Sequence, residues 1–209
     1  MVLEVPQVVV NRLPIYYRTL IALEGQGKEV VSSQELGFFL GITPAQIRKD
    51  LSYFGRFGKQ GRGYNVRRLI EHLRGILGLD RQWSLVLVGV GKLGRAILGY
   101  NGFARQGFNV VAAFDKDPEM VGQCIGPLQV QDIAGLSDTL RSISPRIGIV
   151  AVPAPDAPEV IDTLVACGIR AILNYAPVEA KAPEGVQMRN IDPVLALQSM
   201  TYYLKDRVS

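Results

Sequence analysis

From Leu13 onward the apolar positions return at helical spacing. Leu13, Tyr16, Tyr17, Leu20, Ile21 and Leu23 predict a first helix that ends around Gly25 to Gly27. Ser32 with Glu35 three places on predicts the capped start of a second helix, which stops at Gly41. Thr43, Pro44 and Gln46 repeat that start for a third helix, so two short helices flank a glycine turn as in a helix-turn-helix. On the third helix Ile47, Leu51 and Phe54 should face the core, while Arg48, Lys49, Ser52 and Tyr53 share the other side. Glycines at 55, 58, 61 and 63 then allow a tight hairpin decorated by Arg56, Lys59 and Arg62.

After "GLDRQWS" (78–84), read as a short connection, the period changes. "SLVLVG" is a buried-strand run, "KLGRAILGYNGFARQG" is helical, and "NVVAAF" is a strand ending at Asp115. "IGIVAVP", a helix from Pro158 to Cys167, "IRAILNYAP" and "VQMRNI" continue the alternation, which predicts a mostly parallel, doubly wound sheet.

Charge follows the same division. Residues 1–79 carry a net charge of +5 and residues 80–209 a net of −1, so the basicity belongs to the first third. A helix fits the major groove, where Arg or Lys reaches guanine edges or phosphates and Ser or Tyr bonds the backbone. A basic hairpin after such a helix is a wing, able to reach phosphates or a narrow minor groove. The other readings are a solvated charged face for the helix and a surface loop for the hairpin.

Length and hydropathy allow one or two cores, no apolar run is long enough to span a bilayer, and the N-terminus lacks the form of a secretory signal, so a cytoplasmic protein is expected. Cys124 and Cys167 form no Cys-x-x-Cys pair and are expected as buried small hydrophobes, with neither a disulfide nor a metal.

Gly89, Gly91 and Gly94 fit Gly-x-Gly-x-x-Gly between a strand and a helix, with Val90, Lys92 and Leu93 filling the turn. The first glycine permits the turn, the second lets a pyrophosphate approach the backbone, and the third packs helix on strand. Asp115 ends the next strand, where its carboxylate can accept bonds from the adenine ribose and repel a 2′-phosphate, favouring NAD(H) over NADP(H), although Lys116 is adjacent. A purely structural glycine turn is the other reading. Little suggests hydride transfer to a substrate: the single histidine, His72, lies in the basic third, where a surface role is expected, and about 130 residues hold a nucleotide fold without a substrate domain.

Six segments, "RLPIYYRTL", "SSQELGFFLGITPAQIRKDLSYFGRFGKQGRGY", "VGVGKLGRAI", "FDKDPEMVG", "VPAPDAPEVIDTLVACGIRAILNYAPV" and "NIDPVLALQSMTYYL", together resemble the bacterial redox-sensing repressors called Rex. The resemblance implies a homodimer whose winged helices bind palindromic operators and whose Rossmann domains sense the NADH to NAD+ ratio, NADH favouring release of DNA. It places Arg48, Lys49 and Tyr53 on the recognition helix, beside which Gln46 and Ser52 are also expected to meet DNA, and Lys59, Arg62 and Gly63 on the wing, with Gln60 where the family commonly has a basic residue. Val152, Pro153, Tyr175, Ala176 and Pro177 would meet the nicotinamide end, near Asp192 and Pro193. Residues 194–204 are apolar on more than one face, as suits a helix that crosses into a partner subunit, the other reading being an intrachain core helix. Asp192 would exchange Arg18 and Tyr100 as partners in a redox switch.

The expectation is thus an α/β chain: a winged-helix DNA-binding domain over 1–79, a Rossmann-type doubly wound parallel sheet over 80–192, and a domain-swapped dimerisation helix over 193–209. Its function would be NADH-responsive repression, without catalysis, without a membrane and without a metal. The other functions to weigh are a small NAD(P)-dependent oxidoreductase and a CoA-binding Rossmann protein, each with an accessory basic domain.

Overall fold

The computed structural model describes residues 5–59, 62–178 and 181–204. Gln60 and Gly61 of the hairpin, and the last residues of the 193–209 segment, lie outside the described residues. The chain divides into two units between Arg81 and Gln82, two residues beyond the expected boundary. Part of the expected connection is already strand: Trp83 donates its N–H to the Gly107 carbonyl and opens the second unit's sheet.

The first unit runs α1 (Gln7–Gly25), β1 (Val30–Val31), α2 (Ser33–Leu40), α3 (Pro44–Ser52), β2 (Gly58–Lys59), β3 (Gly63–Asn65) and α4 (Val66–Ile76). Its strands pair antiparallel in the order β1-β3-β2. Leu13, Tyr16 and Leu20 of α1 pack with Leu36 of α2, Ile47 and Leu51 of α3, and Leu69 and Leu73 of α4, so one core is shared by all four helices. Ser32 caps α2 as a complete capping box: its hydroxyl accepts the Glu35 N–H (3.0 Å) and the Glu35 carboxylate accepts the Ser32 N–H (2.9 Å). The box on α3 is only half made. Thr43 accepts the Gln46 N–H, but the Gln46 side chain turns away from the cap. Gly63 opens β3 at φ +70°, and a Cβ there would stand 2.8 Å from the Val31 carbonyl, so strand pairing itself excludes a side chain. Helices α1 to α3, the three-stranded sheet with its β2–β3 hairpin, and the closing helix α4 form a winged helix.

The second unit comprises β4 (Trp83–Val88), α5 (Lys92–Gly99), α6 (Gly102–Arg105), β5 (Phe108–Asp115), β6 (Cys124–Ile125), β7 (Leu128–Asp132), α7 (Leu136–Ile143), β8 (Ile147–Val150), α8 (Ala157–Ala166), β9 (Ala171–Asn174), β10 (Gln187–Asn190) and α9 (Pro193–Thr201). The sheet order is β10-β9-β8-β4-β5-β7-β6, parallel except for the edge strand β6. Side chains alternate across β4: Val86 and Val88 join Leu140, Ile161 and Leu164 on one face, while Leu85 and Leu87 join Ile97 and Met120 on the other. Both faces are covered, which gives the α/β, doubly wound Rossmann arrangement.

Two expectations change here. The single helix expected over 92–107 breaks at Tyr100, whose backbone is extended, and resumes as the short α6. Cys124 is exposed rather than buried, because a two-residue edge strand has no layer above it; Cys167 is half-buried against the core.

Candidate functional site

The chain leaves β4 toward β5 and later returns to β8 on the other side, so the carboxyl ends of β4 and β8 flank a topological switch point, where open α/β sheets bind ligands. A cleft of about 780 Å³ opens there. Gly89 turns the chain at φ +95°, where a Cβ would lie 2.5 Å from the Ala151 carbonyl. At Gly94 a Cβ would collide with the Gly89 carbonyl, which brings α5 tightly against the turn. Gly91, in contrast, faces open space, leaving its backbone approachable.

Gly89, Gly91, Lys92, Leu93, Asp115, Lys116, Val152, Pro153 and Tyr175 line this cleft together. Val90, Gly94 and Ala176 are buried beside it, and Pro177 is exposed. Asp115 accepts the Val90 N–H (2.6 Å) on one oxygen and the Asp117 N–H (2.9 Å) on the other. Lys116 is paired with Asp156 at 2.8 Å, across the cleft mouth. Arg95, Met120 and Asp156 also line the cleft and were not anticipated; of these only Arg95, directly after the glycine motif, had a sequence signal. Buried Asn174 precedes the lining Tyr175: its amide donates to the Ala176 carbonyl and to Asn190, and its carbonyl accepts the Ala176 N–H at 3.0 Å.

In the first unit Arg48, Lys49 and Ser52 are exposed on α3, and Tyr53 is half-buried at its end. Arg48 donates to the Ser33 hydroxyl (3.0 Å) at the start of α2, and Ser52 to the Lys49 carbonyl (2.7 Å). Arg62 is exposed beside Gly63, and Lys59 lies in β2. Half-buried Gln46 donates to Asp50 at 2.6 Å. Asp50, which is wholly buried, also accepts a two-pronged bond from Arg12 and one from the Tyr16 hydroxyl. Burial alone would raise the Asp50 carboxyl, but the bonds from Arg12, Tyr16 and Gln46 outweigh it and hold the group below its ordinary value. Burial, and then the bond to Asp50, push the Tyr16 hydroxyl up. His72 is exposed, with a ring nitrogen 2.6 Å from the Arg68 carbonyl.

Of the three residues expected to form a switch, one is in the first unit and two are in the second. Arg18 is exposed on α1. The Tyr100 ring meets Phe103 edge-on, and Asp192 caps α9 by accepting the Val194 N–H at 2.8 Å. No residue of α9 is buried, so the intrachain core reading fails. Val194, Leu195, Leu197, Met200, Tyr202, Tyr203 and Leu204 are 54–75% exposed. Among the described residues no helix is long and apolar enough to cross a membrane, and no cluster suited to a metal ion occurs.

Comparison with known proteins follows both units. A family described as "Putative DNA-binding protein N-terminus" matches residues 4–52, and one described as "CoA binding domain" matches residues 80–178. The protein named redox-sensing transcriptional repressor Rex from Chloroflexus aggregans is 52% identical over 199 residues, covering 95% of this chain and 94% of its own. Its namesake from Desulfitobacterium hafniense is 40% identical over 205 residues, covering 98% of each. The crystal structure of RSP in complex with beta-NAD+ and operator DNA superposes with a TM-score of 0.92 at 38% identity, over 97% of this chain and 94% of that one. RSP in complex with beta-NADH gives 0.88 at 36% identity, over 98% and 96%.

Proposed function

The chain belongs to the Rex family of redox-sensing transcriptional repressors, and from that premise we propose that it binds palindromic operators as a homodimer and releases them when NADH replaces NAD+ in the cleft of its Rossmann unit. The observation that carries this reading is the union, in one chain, of a helix exposing Arg48 and Lys49 with a glycine-turn cleft closed by a carboxylate at the end of β5.

The cleft's residues fit a dinucleotide. A pyrophosphate would lie against the open backbone of Gly91 and the start of α5, and the adenine ribose against Asp115, whose two oxygens keep lone pairs beyond those used by Val90 and Asp117. The Lys116–Asp156 pair supports NAD(H) over NADP(H), since it engages the cation that could otherwise meet a 2′-phosphate. Val152, Pro153, Tyr175, Ala176 and Pro177 would receive the nicotinamide, Ala176 being held by Asn174.

On DNA, Gln46, Arg48, Lys49, Ser52 and Tyr53 would face the major groove, and Lys59, Arg62 and Gly63 the wing contacts. The exposed apolar surface of α9 suits a helix that crosses to a second copy. Asp192 at its head would then choose between Tyr100 and Arg18 as the ring's charge changes, a coupling of about 1 to 3 kcal/mol. The protein acts as a sensor, with no turnover of the cofactor. The oxidoreductase and CoA-binding alternatives are not favoured, because the near-full-length relatives are repressors. Calorimetric titration with NADH, NAD+ and coenzyme A tests the cleft: saturable binding of both NAD forms at one site supports the reading, whereas binding of coenzyme A alone overturns it.

A further inference from the structure

Asp50 is the one charged side chain among the described residues that is wholly buried, and it sits on the inner face of α3, between the outward-facing Lys49 and Ser52. Its carboxylate is fully subscribed. One oxygen accepts from Arg12 Nε (2.6 Å) and the Tyr16 hydroxyl (2.6 Å), and the other from Arg12 Nη2 (2.7 Å) and Gln46 Nε2 (2.6 Å). Arg12 and Tyr16 are four apart on α1, and Gln46 and Asp50 are four apart on α3, so one ridge of each helix meets the other.

This contact differs in kind from the apolar packing around it. Ile47 and Leu51 also bury themselves in the shared core, but apolar contact is non-directional and tolerates a small roll or slide of the helix. A planar guanidinium fork does not: its two parallel bonds require both oxygens of Asp50 in one plane at one height. Buried ion pairs often add little net stability over apolar side chains of similar volume, so what this pair can supply beyond apolar packing is a fixed geometry. Here that geometry is the roll of α3 about its own axis. Arg48 and Lys49 precede Asp50 directly, and their direction follows from that roll.

We infer that Asp50, clamped by Arg12 and Tyr16, is a positioning residue of the DNA interface that sets the angle at which the recognition helix presents Arg48 and Lys49 to base edges. The inference rests on the reading of α3 as the helix that enters the groove. It assigns Gln46 a double part, as a member of the clamp whose amide orientation is fixed by the bond to Asp50, leaving its carbonyl and one N–H available at the first turn.

The test uses the full-length protein and a palindromic duplex selected by the wild type from a randomised pool. The variants are Asp50→Asn and the apolar triple Arg12→Met, Tyr16→Phe and Asp50→Leu. Four quantities are read for each: the thermal midpoint, NADH affinity, affinity for the selected duplex, and affinity for a scrambled duplex at the same salt. A well-folded triple variant, with NADH affinity intact and scrambled-duplex affinity within about 2-fold of wild type, should lose ~10- to 100-fold on the selected duplex. The slope of affinity against salt should stay unchanged, since no phosphate contact has been removed. A purely structural clamp predicts instead a shifted midpoint with the wild-type ratio of selected to scrambled affinity, and that result overturns the inference. Should the triple variant not fold, Asp50→Asn keeps the shape and removes the charge; a ~10-fold fall in the same ratio supports the clamp, and a wild-type ratio overturns it. If the wild-type protein selects no duplex, the groove reading of α3 fails first and takes the inference with it.

Discussion

Asp115 and Val90 are joined by a 2.6 Å hydrogen bond across 25 residues of chain, from the carboxylate that ends β5 to the backbone N–H in the middle of the glycine turn. The group that would bind the ribose therefore also holds the loop that would bind the pyrophosphate. Asp115→Ala should accordingly weaken NADH by more than one lost ribose contact, about 10- to 100-fold, and narrow its advantage over NADPH as the repulsion of a 2′-phosphate disappears. Fluorescence titration with both nucleotides checks this. A variant that keeps the full NADH preference would mean that the ribose is read elsewhere.

Arg48→Ala and Arg62→Ala should each weaken operator binding while NADH affinity stays constant, because both side chains are exposed on the winged-helix unit. Where the lost contact is to a phosphate, the slope of log affinity against log salt should fall by roughly 0.9 per site. Anisotropy titrations at several salt concentrations measure both effects. Unchanged affinity in both variants contradicts the assignment of helix and wing.

Glu35 sets an acid limit on the same unit. Its bond from Lys28, aided by those from Ser32, holds the carboxyl down at about 2 against an ordinary 4.5. A depressed carboxyl contributes stability that is present above the unfolded value and lost as pH falls through the folded one. The thermal midpoint of the winged-helix unit should therefore decline as pH drops from 4.5 toward about 2, and Glu35→Gln should lower the neutral-pH midpoint and flatten that part of the decline. Circular dichroism melts across this range decide it. The group is exposed, so the effect should be small and should shrink further with added salt.

Helix α9 should fail to hold two copies together once its apolar surface is charged. Leu197→Glu with Met200→Glu removes two residues that are 60% and 59% exposed in the single chain, so folding of either unit should be little affected. Sedimentation should show monomers at micromolar concentration, and operator affinity should drop by about 100-fold as the two half-sites lose their linkage. A dimer that survives both substitutions would show that another surface carries association.

How much of this was legible follows from the distance over which each signal acts. The capping box at Ser32 and the glycines at 89, 91 and 94 are local patterns, each with one backbone geometry that satisfies it, and the structure builds both. The connection expected over 78–84 contains the division between the units, at Arg81 and Gln82. Asp50 read as one acid among many bases, because the partners that define it lie 38 and 34 residues away on another helix. Asp156 was missed for the same kind of reason: its partner Lys116 lies 40 residues away, just past the end of β5. The break at Tyr100 had a weak sign in the Asn101-Gly102 turn, outvoted by the apolar spacing on either side. The strands β6 and β7 and the helix α7 carried no such sign: β6 has two residues, β7 (LQVQD) is mostly polar, and α7 (LSDTLRSI) has no side-chain cap to mark its start.

The most direct measurement is operator release itself. Wild-type protein bound to a fluorescent duplex, selected by the protein from a randomised pool, is titrated with NADH and NAD+ separately and then with NADH against a constant excess of NAD+. NADH should lower anisotropy to that of free duplex, NAD+ alone should leave the complex in place, and NAD+ should shift the NADH curve to higher concentration by competition for one cleft. Equal release by both forms, or release by neither, would contradict control of DNA binding by the redox state of the nicotinamide.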